Sequence, residues 1–316
     1  MGKLPFAVSL LTILGLAAPA LAQQGMFPGA MTWRYVRFAD RTEVRVDNTW
    51  AAQAGGADRT GRVTVGTTSQ TRPIQVHEGP AVVTAVATRG NTVLVAMVHA
   101  GARSFARLVL ADIGPDGRLA AREAIDAPRR NDGDFAPASV VACPDPEGFT
   151  VLWQEPSARD PRSDVRTYMA RIASDGSWLQ RPAVVEVPWA LAAIAHNGHG
   201  YHLALYFDTE AGVTRVCLVT LTAAGVPEQH PWWASAAGPT DEVQLAVRGD
   251  RVLAFYRGGP GGDRLLSADV TAVGQWGAEP GAARAQGEIR RDQEFALRQV
   301  GGGEPEIVRR SIAELR

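Results

Sequence analysis

The sequence predicts an all-β chain folded as a five-bladed β-propeller, and three observations carry that prediction. First, a two-glycine unit returns four times. Gly90, Gly148, Gly200 and Gly249 each head an apolar run, and Gly117, Gly176, Gly225 and Gly274 follow at offsets of 27, 28, 25 and 25 residues. Second, the first glycines lie 58, 52 and 49 residues apart, close to the period of a four-stranded blade. Third, no stretch carries an amphipathic helical period of convincing length, which argues against crossover helices and helical solenoids. A β-sandwich also contains many short strands, but it would not repeat the two-glycine spacing.

Taken in order, residues 1–22 read as a secretory signal. Lys3 supplies the positive start, Phe6 to Leu16 the apolar region, and Ala20-Leu21-Ala22 the small-residue cleavage pattern before Gln23. An uncleaved anchor is the alternative, but Pro5 and Pro19 bracket a run shorter than the roughly 20 residues a spanning helix requires. The expectation is a mature chain beginning near Gln23, periplasmic or secreted, with no transmembrane segment after cleavage.

Residues 23–61 read as a hairpin and a loop. The alternating runs Thr32 to Phe38 and Thr42 to Asp47 flank Ala39-Asp40-Arg41, and an Ala/Gly-rich stretch without periodicity follows to Gly61. The propeller is assigned to residues 62–316. Arg62 to Gly66 and Arg72 to Val76 make a strand pair that leads into the first unit. That unit reads as four strands: Val82 to Thr88, Thr92 to Val98, Phe105 to Ala111 and Arg118 to Ile125. The two glycines fall in its first and third turns, where a positive φ costs little for glycine. After the fourth unit only Glu294 to Val300 and Glu306 to Leu315 remain, resembling a first and a second strand. Pairing them with Arg62 to Val76 would close the ring, join the N- and C-terminal strands in one blade and remove the exposed edges. Six blades is the alternative, if the hairpin of Thr32 to Asp47 contributes to a further sheet.

Composition narrows the partner. The 316 residues are 46% hydrophobic and 21% charged, enough to bury a large core. Of the 32 cationic residues only Lys3 is a lysine, so the mature chain sets 31 arginines against 33 carboxylates. Such near-neutrality argues against nucleic acid or an anionic membrane as partner. Guanidinium groups suit bidentate recognition of carboxylate or phosphate, although evenly spread arginines also reflect codon usage. Cys143 and Cys217 fall on different strands of neighbouring units, which argues against a disulfide.

Over about Arg62 to Leu315 the chain resembles secreted bacterial β-propeller repeat proteins, on architecture alone. Ser174-Asp175-Gly176-Ser177-Trp178 is similar to the Ser-x-Asp-x-Gly-x-Thr-Trp turn of sialidase-type propellers, with a departure in spacing, and Gly274-Gln275-Trp276 keeps only its end. WD-type and quinoprotein signatures are absent.

In propellers, the loops leading into first strands and those joining second to third strands share one face, where ligands usually bind. The strand-leading loops here are acidic, with Glu78, Asp134, Asp241, Glu242, Asp292 and Glu294. Two of them are close in text: Arg129-Arg130-Asn131-Asp132-Gly133-Asp134-Phe135 and Arg290-Arg291-Asp292-Gln293-Glu294-Phe295. The loops joining second to third strands add Glu155, Arg159, Asp160, Asp208 and Arg257. A ring of carboxylates backed by guanidiniums can hold a cation, a sugar or a basic peptide. Copying of the repeat would produce the same recurrence without any function.

The reading that follows is an exported, non-catalytic propeller binding a protein or carbohydrate partner outside the cytoplasm. Its ligand residues are Arg130, Asp132, Asp134, Glu155, Arg159, Asp160, Asp208, Asp241, Arg257, Arg291 and Asp292, and no cofactor is expected. The alternative is a glycoside hydrolase or lyase of the five-bladed type. Arg159-Asp160-Pro161 resembles the Arg-Asp-Pro stabiliser of fructan- and arabinan-active enzymes, and Asn131-Asp132 and Glu155 offer the other two residue types. Glu155, however, precedes the tripeptide instead of following it. Such an enzyme places two carboxyls on opposite sides of the scissile bond.

His196, His199 and His202 invite a zinc reading, but they span a first-to-second-strand turn on the opposite face, so a solvated turn is the default. Trp153, Trp178, Trp189, Trp232, Trp233 and Trp276 could stack on sugars, whereas the positions of Trp178 and Trp276 favour packing between blades. Serine-nucleophile elbows, phosphate loops and Cys-x-x-Cys pairs are absent.

Overall fold

The computed structural model describes residues 30–39, 41–52, 59–79, 81–99, 105–122, 125–126, 139–156, 165–187, 190–208, 214–227, 232–233, 241–258, 263–270, 284–290, 293–298 and 303–311. Among these residues every regular element is a strand. Five small antiparallel sheets make a five-bladed β-propeller fold, as the glycine spacing predicts.

The first sheet runs β1 (Ala30–Ala39), β2 (Thr42–Ala52), β3 (Arg59–Thr67), β4 (Ile74–Glu78). The second runs β5 (Ala81–Arg89), β6 (Thr92–His99), β7 (Phe105–Ile113), β8 (Leu119–Ala121), with β9 (Ile125–Asp126) also paired to β7. The single fourth strand expected over Arg118 to Ile125 is therefore two short pieces. The third sheet runs β10 (Ser139–Pro144), β11 (Gly148–Pro156), β12 (Val165–Ala173), β13 (Trp178–Val185). The fourth runs β14 (Ala190–His196), β15 (Gly200–Asp208), β16 (Thr214–Thr222), β17 (Trp232–Trp233). The fifth runs β18 (Asp241–Arg248), β19 (Arg251–Gly258), β20 (Arg264–Asp269), β21 (Arg284–Glu288). A two-stranded sheet, β22 (Gln293–Arg298) with β23 (Glu306–Ser311), follows.

The composition of the first blade corrects the expected closure. Residues Arg62 to Val76 do not pair with the C-terminal strands. They extend the N-terminal hairpin, with Val46 of β2 opposite both Tyr35 of β1 and Val65 of β3. The hairpin and the strand pair thus make one complete four-stranded sheet, and β22 pairs only with β23 among the described residues. Alternation explains the preference. Val44, Val46, Val63 and Val65 fill one side of β2 and β3 and are fully buried, so this pairing removes a continuous apolar face from water.

The chain divides into two compact units, residues 1–140 with 153–168 and 316, and residues 141–152 with 169–315. In the first, the valines of β2 and β3 pack with Val93, Val95 and Met97 of β6 and Val109 of β7. Val93 to Met97 is buried without interruption, the pattern of a strand covered on both faces. In the second, Leu203, Leu205, Cys217 and Leu221 pack with Cys143, Leu152 and Met169, and Ala254, Tyr256 and Val270 join Ala204 and Val216. Burying one such leucine contributes about 1.5–3 kcal/mol.

The repeated glycines serve two physical purposes. Gly117, Gly176 and Gly225 adopt positive φ values of 74°, 93° and 81°, as turn geometry requires. Gly148 and Gly200 are kept for space instead, because a Cβ would sit 2.0 Å from the Ile172 carbonyl oxygen and 2.6 Å from that of Leu221. Gly274 lies outside the described residues.

Candidate functional site

Most of the nominated ligand residues lie outside the described residues: Arg130, Asp132, Asp134, Arg159, Asp160, Arg291 and Asp292. Asp208 closes β15 opposite Thr214, and Asp241 opens β18 opposite Arg257. Glu155 and Arg257 are the two whose side chains are described.

Glu155 stands near the end of β11, where the chain leaves for the segment carrying Arg159-Asp160-Pro161. Trp153 and Glu155 are two residues apart on an extended strand, so both side chains emerge on one face. The Trp153 indole Nε1–H donates to Glu155 Oε1 at 2.8 Å. Behind this contact Trp153 stacks on Tyr168 of β12, with ring centroids 5.7 Å apart and planes 25° from parallel. On the opposite face, Gln154 Nε2 donates to Thr167 Oγ1 at 3.2 Å and ties β11 to β12. All five residues are buried, Glu155 with 6% of its surface exposed. Trp153 is 1% exposed and therefore offers no stacking platform to a sugar. What the arrangement supplies is a buried carboxylate with one oxygen fixed by an indole N–H whose own ring is held by stacking.

Arg257 has a different role from the one expected of it. The residue is 7% exposed, and its guanidinium donates to the backbone carbonyls of Arg290, at 3.0 Å, and of Gln293, at 2.5 Å. Gln293 in turn donates its amide to the Arg290 carbonyl at 3.0 Å. Arg257 thus anchors the backbone on either side of Arg291 and Asp292. A fork of N–H donors is well suited to gripping two carbonyls at once.

The sequence reading missed a carboxylate that accepts four hydrogen bonds. Asp145 follows β10, its side chain fully buried. Oδ1 accepts the amides of Glu147 and Gly148, each at 2.8 Å, and Oδ2 accepts Thr150 Oγ1 at 2.8 Å and Arg171 Nε at 3.0 Å. Arg171 also reaches Glu147 at 2.7 Å, and the Thr150 hydroxyl meets the Tyr201 hydroxyl at 2.8 Å. Burial by itself would raise the Asp145 carboxyl, but the bonds from Arg171, Thr150 and the two amides prevail and hold it below its ordinary range. The Asp145 carboxylate pushes Arg171 upward, and burial pushes Tyr201 up to about 12. Asp-Pro-Glu-Gly text was the available signal, since an aspartate that bonds the backbone two and three residues on makes this kind of turn. Its partners Arg171 and Tyr201 had no local signature.

The histidine run does not form a solvated turn throughout. His199 is exposed, but His196 packs edge-on to Tyr201 at 4.7 Å, and His202 is buried in β15. Burial, with a smaller contribution from His196, lowers His202 to about 4 from an ordinary 6.5. A depressed histidine contributes stability above its unfolded value and loses it as pH falls towards the folded one. The unfolding free energy of the wild type from urea titration should therefore drop by about 1.5 kcal/mol between pH 6.5 and pH 5, the slope approaching about 1.36 kcal/mol per unit at the lower end. His202→Leu should flatten that stretch, and an equally steep decline in the variant would assign it to other groups. Cys143 and Cys217 are free thiols, both buried in one cluster, and burial raises each well above the ordinary thiol value.

No protein-family model and no curated protein matches the chain. Solved structures do. Trypanosoma rangeli sialidase in complex with sialic acid superposes with a TM-score of 0.50 at 11% identity, covering 85% of this chain and 50% of that one. The same sialidase as a covalent intermediate with 2,3-difluorosialic acid gives 0.52 at 12% identity, covering 91% and 54%. A neuraminidase-like protein from A/bat/Guatemala gives 0.52 at 8% identity, covering 89% and 83%. This chain spans about half the length of the sialidase structures it matches. At such identities the likeness is one of fold, a β-propeller. The expectation of a non-catalytic binding protein is overturned by these neighbours, since the solved structures that share the fold over most of the chain are sialidases and a neuraminidase-like protein.

Proposed function

We propose that the chain is an exported glycoside hydrolase acting on a carbohydrate through carboxylates of the loop face, with Glu155 as one of the pair. The observation that carries this reading is the buried Glu155 carboxylate itself, oriented by an indole N–H 2.8 Å away at the root of the segment bearing Asp160. In most glycoside hydrolases two carboxyls about 5 to 10 Å apart do the work, one transferring a proton at the leaving oxygen and the other acting on the anomeric carbon or a water. Asp160 and Asp132 are the candidates for the second. The sialidase neighbours support a carbohydrate as the substrate class. The apolar region and Ala20-Leu21-Ala22 pattern before Gln23 support export to the periplasm or beyond.

The test is release of fluorophore from a panel of 4-methylumbelliferyl glycosides that includes the N-acetylneuraminide and the α-L-arabinofuranoside. Wild-type protein is expected to turn over at least one of them. Glu155→Gln keeps the shape and the acceptor for Trp153, and it should lower kcat about a hundredfold or more. A wild type inactive on the whole panel, or a Glu155→Gln variant with wild-type kcat, sinks the reading. Intact-mass measurement of protein recovered outside the cytoplasm should give a chain beginning near Gln23. Recovery of the full-length chain, with residues 1–22 attached, would contradict cleavage.

A further inference from the structure

We infer that Trp153 is a positioning residue for the proposed reaction, acting through Glu155 and without touching substrate; the inference rests on the glycoside hydrolase reading. Its indole has one hydrogen-bond donor, and that donor is committed to Glu155 Oε1 at 2.8 Å. The ring is 1% exposed and cannot meet a ligand. It is held in turn, since Tyr168 stacks on its face at 5.7 Å and is itself 4% exposed. Gln154 and Thr167 lock the same two strands together on the reverse face. A glutamate side chain has three rotatable torsions, and an acid or base must be held close to its productive geometry to act. Trp153 removes that freedom through a donor whose own position is set by packing.

Packing alone would account for a buried tryptophan at this place. The two explanations separate in Trp153→Phe, which keeps an aromatic ring against Tyr168 and deletes the N–H together with part of the indole's volume, when kcat is compared with the loss of stability measured on the same variant. If the indole serves packing, kcat should follow stability and change little. If it orients Glu155, kcat on the cleaved 4-methylumbelliferyl glycoside should fall about tenfold to a hundredfold, the equivalent of one hydrogen bond to a charged group. KM should stay within about twofold, because the lost contact is made to the reacting group and not to the bound sugar.

The deciding measurement is the double-mutant cycle of Trp153→Phe with Glu155→Gln. Two residues acting as one unit are non-additive, so the double variant should be no slower than Glu155→Gln alone. As a second readout, the indole N–H resonance assigned to Trp153 should move in Glu155→Gln. Unchanged kcat in Trp153→Phe, the same fractional loss in the Glu155→Gln background, or an unmoved indole resonance would each overturn the inference. A wild type inactive on the glycoside panel would instead defeat the enzymatic reading beneath it.

Discussion

Asp145→Ala is expected to destabilise the protein by about 3–5 kcal/mol, the range for removing one partner of a buried ion pair. Four donors converge on this carboxylate, from Thr150, Arg171 and the amides of Glu147 and Gly148. Alanine would leave the two turn amides without their acceptor and Arg171 with the exposed Glu147 carboxylate, in a place where Asp145 itself is fully buried and Arg171 is only 20% exposed. The lost pair is the main contribution, and the unbonded amides add to it. Urea unfolding at pH 7 measures the effect directly. Asp145→Asn should lie between, since it keeps an acceptor for the turn amides and loses the charge that faces Arg171. Acid provides an independent check. The folded carboxyl titrates below its ordinary value, so its contribution is fully present above about pH 4 and disappears as pH falls further through the folded value. Asp145→Asn should lack that last stretch of acid sensitivity while keeping the decline assigned to His202 at higher pH. A loss under about 1 kcal/mol in Asp145→Ala would show that the turn holds itself without the carboxylate.

Gly148→Ala should cost about 3 kcal/mol or more, at or beyond the upper end for overpacking. The added methyl would lie 2.0 Å from the Ile172 carbonyl oxygen and 2.8 Å from the Ala173 Cα. Both obstacles are backbone atoms of the neighbouring strand, so no rotamer change relieves the clash. Gly200→Ala meets a carbonyl at 2.6 Å and should cost less. Gly249→Ala has no atom within 4 Å and pays only for its positive φ of 62°, about 1–2 kcal/mol. Melting temperatures of the three variants should fall in that order. If Gly249→Ala proved the worst, backbone conformation and not space would explain why the repeat keeps its first glycine.

Arg257 illustrates how a residue's type can be read correctly and its task missed. An arginine on a polar loop face invites assignment to a ligand, yet its donors go to the carbonyls of Arg290 and Gln293. Nothing within a few residues of Arg257 reveals those partners. The same holds for Tyr201, whose hydroxyl meets Thr150 across 51 positions of sequence.

What the sequence determined by itself is everything that repeats locally. Strand alternation, the two-glycine offset and the hairpin at Thr42 place nearly every strand of the first unit to within two residues, because side-chain direction and turn geometry depend on near neighbours. The tertiary structure decided which strands pair and which polar groups meet. By pattern alone the β3–β4 pair could hydrogen-bond through β3 to β2 or to the C-terminal pair, and only the continuous buried face of Val44, Val46, Val63 and Val65 selects β2. Trp153 likewise reads as a sugar platform or a packing residue until Tyr168 covers it and its N–H turns to Glu155. Local periodicity specifies which face a residue takes. The partner waiting on that face comes from a distant part of the chain, and it decides the chemistry.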